Sequence, residues 1–116
     1  MSDVTIYHNP RCSKSRETLQ LLKDKGIEPD VVEYLKDPPD AATLDALLRK
    51  LGIEPIELIR KKEAPYAELG LEQKQHDRKA LIDAMVAHPV LIERPIVVKG
   101  KQARLGRPPE KVLEII

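Results

Sequence analysis

The chain holds one cysteine, Cys12, in the run His8-Asn9-Pro10-Arg11-Cys12-Ser13-Lys14-Ser15-Arg16, where a short strand is predicted to turn into a helix. A thiol at a helix N-terminus is favoured as thiolate by the helix dipole and by backbone N–H groups that lack a partner within the helix. Those same N–H groups bind oxyanions. Cys12 is therefore offered as a nucleophile on the floor of an anion site. Arg11 and Arg16 add positive charge, and His8 adds more where the loop folds back and the ring is protonated. The plainer reading, a buried cysteine serving as a small hydrophobe, sits badly with polar or charged neighbours on both sides.

Ser13 and Ser15 bring hydroxyls that suit an anion, although Ser13 is at least as well placed to cap the helix. Lys14 reads as part of a solvated helix face. Three arginines lie outside this run: Arg60 at the end of a short predicted helix, Arg94 directly before Pro95 and Arg107 directly before Pro108. A residue before proline is held extended, which restricts its side-chain direction. A planar guanidinium held that way suits phosphate, sulfate or arsenate. Taken singly, each arginine reads as a surface or ion-paired charge, and spacing alone does not bring them together. His76 and His88 read as solvated or helix-terminal. One Cys and three scattered His have no metal-ligand spacing, so no metal is expected, and the five dispersed Gly form no phosphate loop.

The lone thiol limits the redox chemistry open to it. Once oxidised it has no second cysteine to resolve it, so turnover needs a thiol from outside, such as glutathione, with a second protein clearing a mixed disulfide.

These residues must be positioned by a chain of 116 residues, enough for one domain with one core. With no Phe, no Trp and three Tyr, that core is built from Leu, Ile, Val and Ala, and base-stacking platforms for nucleic acid are lacking. A net charge of +1 gives no global field for a polyanion. No apolar run reaches a membrane span, and no secretory signal is visible. A reducing, cytoplasmic location and a monomeric state are the default expectations.

Val4-Thr5-Ile6-Tyr7 reads as a strand and Ser13 to Lys25 as a helix closed by Gly26. Val31-Val32-Glu33-Tyr34 follows as a second strand, completing a βαβ unit that favours parallel pairing. After Pro38-Pro39, Asp40 caps a helix over Ala41 to Leu51 that Gly52 ends. Pro55 opens a short helix carrying Ile56, Leu58 and Ile59, and residues 60–65 read as a polar loop. Asp77 caps a helix running to His88. Pro95-Ile96-Val97-Val98 is an apolar run, Lys99-Gly100-Lys101 a hairpin-type turn, and Arg104-Leu105-Gly106-Arg107 its returning strand. Pro108-Pro109 opens a last helix, Glu110 to Ile116. The pattern is a small α/β domain whose helical middle looks inserted.

Thr5-Ile6-Tyr7-His8-Asn9-Pro10-Arg11-Cys12 with Ser15-Arg16, Leu58-Ile59-Arg60-Lys61, His88-Pro89, Ile92-Glu93-Arg94-Pro95-Ile96-Val97-Val98 and Gly106-Arg107-Pro108 together resemble the glutaredoxin-coupled bacterial arsenate reductases. The blocks run in order nearly end to end. The resemblance implies one thioredoxin-like α/β domain over residues 1–116, with a mixed four-stranded sheet, flanking helices and a helical insertion at about 38–88. It implies that Cys12 attacks arsenate to give an arseno-cysteine, that glutathione converts this to a mixed disulfide, and that glutaredoxin completes the cycle as arsenite leaves. Arg60, Arg94 and Arg107 then match the arsenate ligands and His8 the histidine that promotes the thiolate, while Ser15 stays the candidate substrate-binding hydroxyl on its residue type alone. A cis peptide bond before Pro95, facing Cys12, is also implied. No tightly bound cofactor is expected, with glutathione as co-substrate. Ser13-Lys14 departs from the Gly-Thr pair of plasmid-borne members, and residues 99–104 diverge.

Two other readings stand beside this one. Transcription regulators of the Spx type share the superfamily, but they carry Cys-x-x-Cys where this chain has Ser15. A glutathione-linked thiol protein with another substrate is the second, and the three arginines count against it.

Overall fold

Along the first strand, β1 (Val4–His8), Val4, Ile6 and His8 are buried while Thr5 and Tyr7 are half-buried, the two-residue period of a strand packed on one face. In the computed structural model, which describes residues 3–116, the inward positions of β1 meet the helix that follows. Val4, Ile6 and Leu22 share a core with Val97, Val112 and Ile115, and Leu19, Leu21 and Ile27 pack around it. That helix, α1 (Ser13–Asp24), buries Ser15, Thr18 and Leu22, three positions on one helical stripe. Gly26 follows at φ 77°, left-handed backbone that glycine adopts without strain.

The sheet runs β2-β1-β3-β4. β2 (Asp30–Glu33) pairs parallel to β1, with His8 opposite Glu33. β3 (Ile96–Lys99) pairs antiparallel to β1 and to β4 (Gln102–Leu105). This is the mixed four-stranded sheet expected. The hairpin closes at Lys99↔Gln102 around Gly100, at φ 60°. β4 therefore begins two residues earlier than the sequence reading placed it, and it ends at Leu105, so Gly106 and Arg107 lie beyond the strand rather than in it. The closing helix is a 3-10 segment, Pro109–Glu114, rather than an α-helix.

These elements, from residues 3–37 and 94–116, form one compact unit, and Pro38–Glu93 forms a second. Within the second, α2 (Ala41–Leu51) is capped by Asp40, whose carboxylate accepts from the Thr43 N–H at 2.8 Å, and Gly52 closes it at φ 70°. α3 (Pro55–Leu58) opens on a reciprocal Glu54–Glu57 capping box. The stretch read as loop over 60–65 gives way to a short helix, α4 (Ala64–Glu68), because Pro65 sits in the first turn, where a missing N–H costs nothing. A 3-10 segment, Leu71–Lys74, leads to α5 (Arg78–Ala87), which Asp77 caps as expected. Leu44, Leu48, Leu58, Leu71, Leu81, Met85 and Leu91 are among its buried residues. Among the described residues no helix is long and apolar enough to cross a membrane.

One close approach governs how the first unit closes. A Cβ placed on Gly106 would stand 2.5 Å from Thr18 Oγ1 and 2.8 Å from Pro95 Cγ. The chain leaving β4 thus touches α1, and only a residue without a side chain fits there. Gly106→Ala is expected to destabilise the protein by about 1–3 kcal/mol through overpacking, read as a lower urea midpoint at unchanged slope; an unshifted midpoint would mean that α1 yields freely.

Candidate active site

The ladders stop at Tyr7↔Ile96 and Ile96↔Leu105, and the Gly106 N–H donates to Pro95 O at 2.9 Å. The next residues outward, His8, Pro95 and Gly106, therefore stand at one end of the sheet. It is the end where the parallel pair β1–β2 presents its carboxyl termini, the usual place for a site in α/β sheets.

Between His8 and α1 the chain makes a tight, internally bonded loop. The Cys12 N–H donates to Asn9 O at 3.0 Å, and the Arg11 N–H to Asn9 Oδ1 at 3.0 Å. The Asn9 N–H donates to Ser15 Oγ at 3.0 Å, and Ser15 Oγ lies 2.6 Å from His8 Nδ1. Arg16 Nη1 spans the outside of the turn to Pro10 O at 2.9 Å. Cys12 itself is the N-cap residue, with extended backbone at φ −96°, ψ 123°, and it is half-buried. Ser13 is the first helical residue and does not cap. The first-turn amides have no acceptor inside the helix, no side chain caps them, and no acidic residue lies among them. A thiol and a set of anion-seeking donors thus share one helix start.

The structure revises two roles expected from sequence. Ser15 is fully buried, its hydroxyl engaged by His8 and Asn9, so it braces the loop instead of facing an anion. Ser15 Oγ accepts from the Asn9 N–H, and a neutral ring protonated at Nε2 is the tautomer that lets the hydroxyl donate to Nδ1. His8 was expected as imidazolium. Burial holds its pKa below the ordinary 6.5; Glu33 across the ladder raises it, and Arg16 and Lys23 lower it further. The neutral ring is the form that accepts from Ser15.

Arg94 and Arg107 are brought together. Arg107 Nη1 donates to the Arg94 carbonyl at 3.2 Å, and Arg94 Nε is buried while Arg107 is exposed. The peptide bonds Arg94–Pro95 and Arg107–Pro108 are both cis, the first as the resemblance implied. Gly106 meets both Thr18 and Pro95, and Pro108 lines a groove with Lys14, Glu17 and Leu21, so both arginine segments lie against α1. Arg60 belongs to the second unit. There Nη1 lies 3.1 Å from Glu63 Oε2 and Nε 3.6 Å from Glu93 Oε1. Among the described residues, no group of three or more His, Cys, Asp or Glu is placed to hold a metal ion.

Sequence reasoning missed Thr18 and Asn9. Thr18 donates to Lys14 O at 2.8 Å and presents its side chain to Gly106. Its position three residues after Ser15 on the helical stripe was the available signal.

The family profile described as the ArsC family matches residues 7–115. YfgD, an uncharacterized protein of Escherichia coli K12, is 60% identical over 114 residues, covering 97% of this chain and 96% of its own length. Arsenate reductases of Rhizobium meliloti and Escherichia coli K12 are 50% and 47% identical, over 97% and 100% of this chain and 81% and 82% of theirs. A solved arsenate reductase from Vibrio cholerae superposes with a TM-score of 0.94 at 54% identity, over 97% of each chain.

Two expectations follow from the buried contacts. Ser15→Ala strands the Asn9 N–H and His8 Nδ1, and is expected to cost about 1–3 kcal/mol in denaturant unfolding; a cost near zero would mean that the loop stands without it. Because folded His8 takes up its proton at lower pH than the unfolded chain, the unfolded state binds more protons just below the ordinary value of 6.5. Stability is therefore expected to fall as pH drops from neutrality through that value. His8→Gln should flatten the urea midpoint against pH over that interval, and an unchanged slope would assign it to other groups.

Proposed function

The chain belongs to the ArsC family, and on that footing we propose that it reduces arsenate to arsenite in the cytoplasm with Cys12 as nucleophile. The observation that carries the proposal is the placement of Cys12 as N-cap of α1, in a braced loop, with the Arg94 and Arg107 segments along the same helix.

The Cys12 thiolate attacks arsenic and, with one proton taken up from solvent, displaces an arsenate hydroxyl as water, forming an S–As(V) bond. First-turn amides of α1, with Arg94 and Arg107, neutralise the oxyanion as it is held for attack. A glutathione thiolate then attacks the Cys12 sulfur. The S–As bond breaks with its electron pair on arsenic, which leaves as As(III) arsenite, and a Cys12–glutathione disulfide remains. Two sulfurs have each lost one electron and arsenic has gained two. Glutaredoxin removes the glutathionyl group by thiol–disulfide exchange, as a chain with one cysteine requires. His8, held neutral, is here a positioning residue that fixes Ser15 and the loop.

A second reading is favoured by one observation. Arg60 is flanked by two carboxylates, which suits a thiol reductase that is linked to glutathione and takes a different substrate.

The test is arsenite production from arsenate by the purified protein with glutathione and a glutaredoxin, each omitted in turn. Turnover is expected to need all three and to vanish in Cys12→Ser with the fold retained. A folded, alkylatable protein that yields no arsenite would transfer the proposal to the second reading. Arg94→Ala and Arg107→Ala are each expected to lower kcat/KM for arsenate by roughly a hundredfold, with far smaller losses of thermal stability. Parallel losses of both would make these arginines structural.

A further inference from the structure

Residues 8–16 carry the cations Arg11, Lys14 and Arg16 and no carboxylate, in a chain whose charges otherwise nearly balance. Elsewhere in the fold cations meet acids: Arg49 and Arg78 on Asp45, Lys79 on Asp83 and Arg104 on Glu114, each at 2.6 or 2.8 Å. Among the described residues, Arg11 and Arg16 form no such pair. The carboxylates next to this stretch by chain and by ladder, Glu17 and Glu33, face Lys14 at 3.7 Å and Lys36 at 3.6 Å. Arg11 directly precedes the thiol residue, and the Arg16 N–H donates to Cys12 O at 3.0 Å. Two uncompensated positive charges therefore flank Cys12, all within the first compact unit.

The two guanidinium groups are held differently. The bond from the Cys12 N–H to Asn9 O closes a four-residue turn, with Pro10 second and Arg11 third. Arg16 Nη1 is committed to Pro10 O, which fixes that side chain against the turn. Arg11 has its backbone anchored on Asn9 Oδ1, while its side chain is exposed and makes no hydrogen bond. A cation on a rigid base with its donors open is suited to a carboxylate. In the proposed cycle a second anion follows the oxyanion to Cys12: glutathione, which carries two carboxylates against one ammonium and is an anion before its thiol ionises. Resting on that reading, we infer that Arg11 binds the carboxylates of glutathione, with Arg16 adding to the field, so that the loop selects anionic thiols and disulfides over neutral or cationic ones. Arg94 and Arg107, on the strand ends, are left for the oxyanion.

Thiol–disulfide exchange at Cys12 tests this without arsenate. The Cys12 thiolate attacks one sulfur of a small disulfide, the S–S bond of the reagent breaks, a mixed disulfide forms and the other half leaves as thiolate. Oxidised glutathione, hydroxyethyl disulfide and cystamine supply an anionic, a neutral and a cationic reagent. Each rate on the full-length protein is divided by that of mercaptoethanol, a neutral free thiol, which cancels the reagents' own reactivities. In the wild-type protein the normalised rates are expected to fall in that order, by about tenfold from first to last at low salt and by less at high salt. Arg11→Gln is expected to narrow the span to about threefold, and Arg11→Lys to keep it. The span is the readout, since an Arg11 that only promoted the thiolate would change all three rates alike. Equal normalised rates in the wild-type protein overturn the inference and leave arsenate reduction, read by arsenite production, untouched. A span unchanged in Arg11→Gln also overturns it. A folded protein whose Cys12 reacts with none of the three overturns the nucleophile reading itself, and this inference with it.

Discussion

A single buried hydroxyl holds the candidate site in shape. Ser15 lies in the first turn of α1, yet its Oγ reaches back to the last residue of β1 and the first residue of the loop, His8 and Asn9. A buried hydroxyl left without partners is costly, and so are a buried imidazole nitrogen and a backbone amide. Satisfying all three at one atom ties the strand, the turn and the helix start together. Cys12 lies inside that closed circuit, so its position is set by the bonds that brace the loop. Arg16, reaching Pro10 O from outside, closes the same turn a second time.

The sheet supplies the rest of the frame. β1 and β2 run parallel while β3 and β4 return antiparallel, so the end of β1, the start of β3 and the end of β4 coincide. Arg94 and Arg107, thirteen residues apart, are delivered to that end by strands adjacent in the hairpin. The Gly106 contact with Thr18 then sets how closely they approach α1. Packing density in such a place is unforgiving, which explains why the residue before an arginine with a candidate chemical role has no side chain.

Much of this was legible in the chain itself. The hydrophobic alternation of β1, the caps Asp40 and Asp77, and the glycines at 26 and 52 all act locally, and local signals survive translation into three dimensions. The loop around Cys12 was legible for the same reason, since Asn9-Pro10 and a helix start are short-range features. Three things were not. The buried face of α1 near its start is Ser15 and Thr18, polar residues that hydropathy counts as surface. The neutral state of His8 depends on its burial on the α1 side of β1, and sequence position carries no information about desolvation. The returning strand was misplaced because its register depends on where a two-residue turn closes, and diverged residues 99–104 gave no anchor.

The tether between the two arginines is not symmetrical. Arg107 gives its side-chain N–H to the backbone carbonyl of Arg94, and Arg94 contributes an atom that every amino acid possesses. Residue 94 can therefore vary in side chain while its hold on residue 107 persists, whereas a change at 107 breaks the tie at once. Through this bond the side chain at position 107 carries a scaffold obligation on top of any chemical one, a debt that position 94 meets with backbone alone.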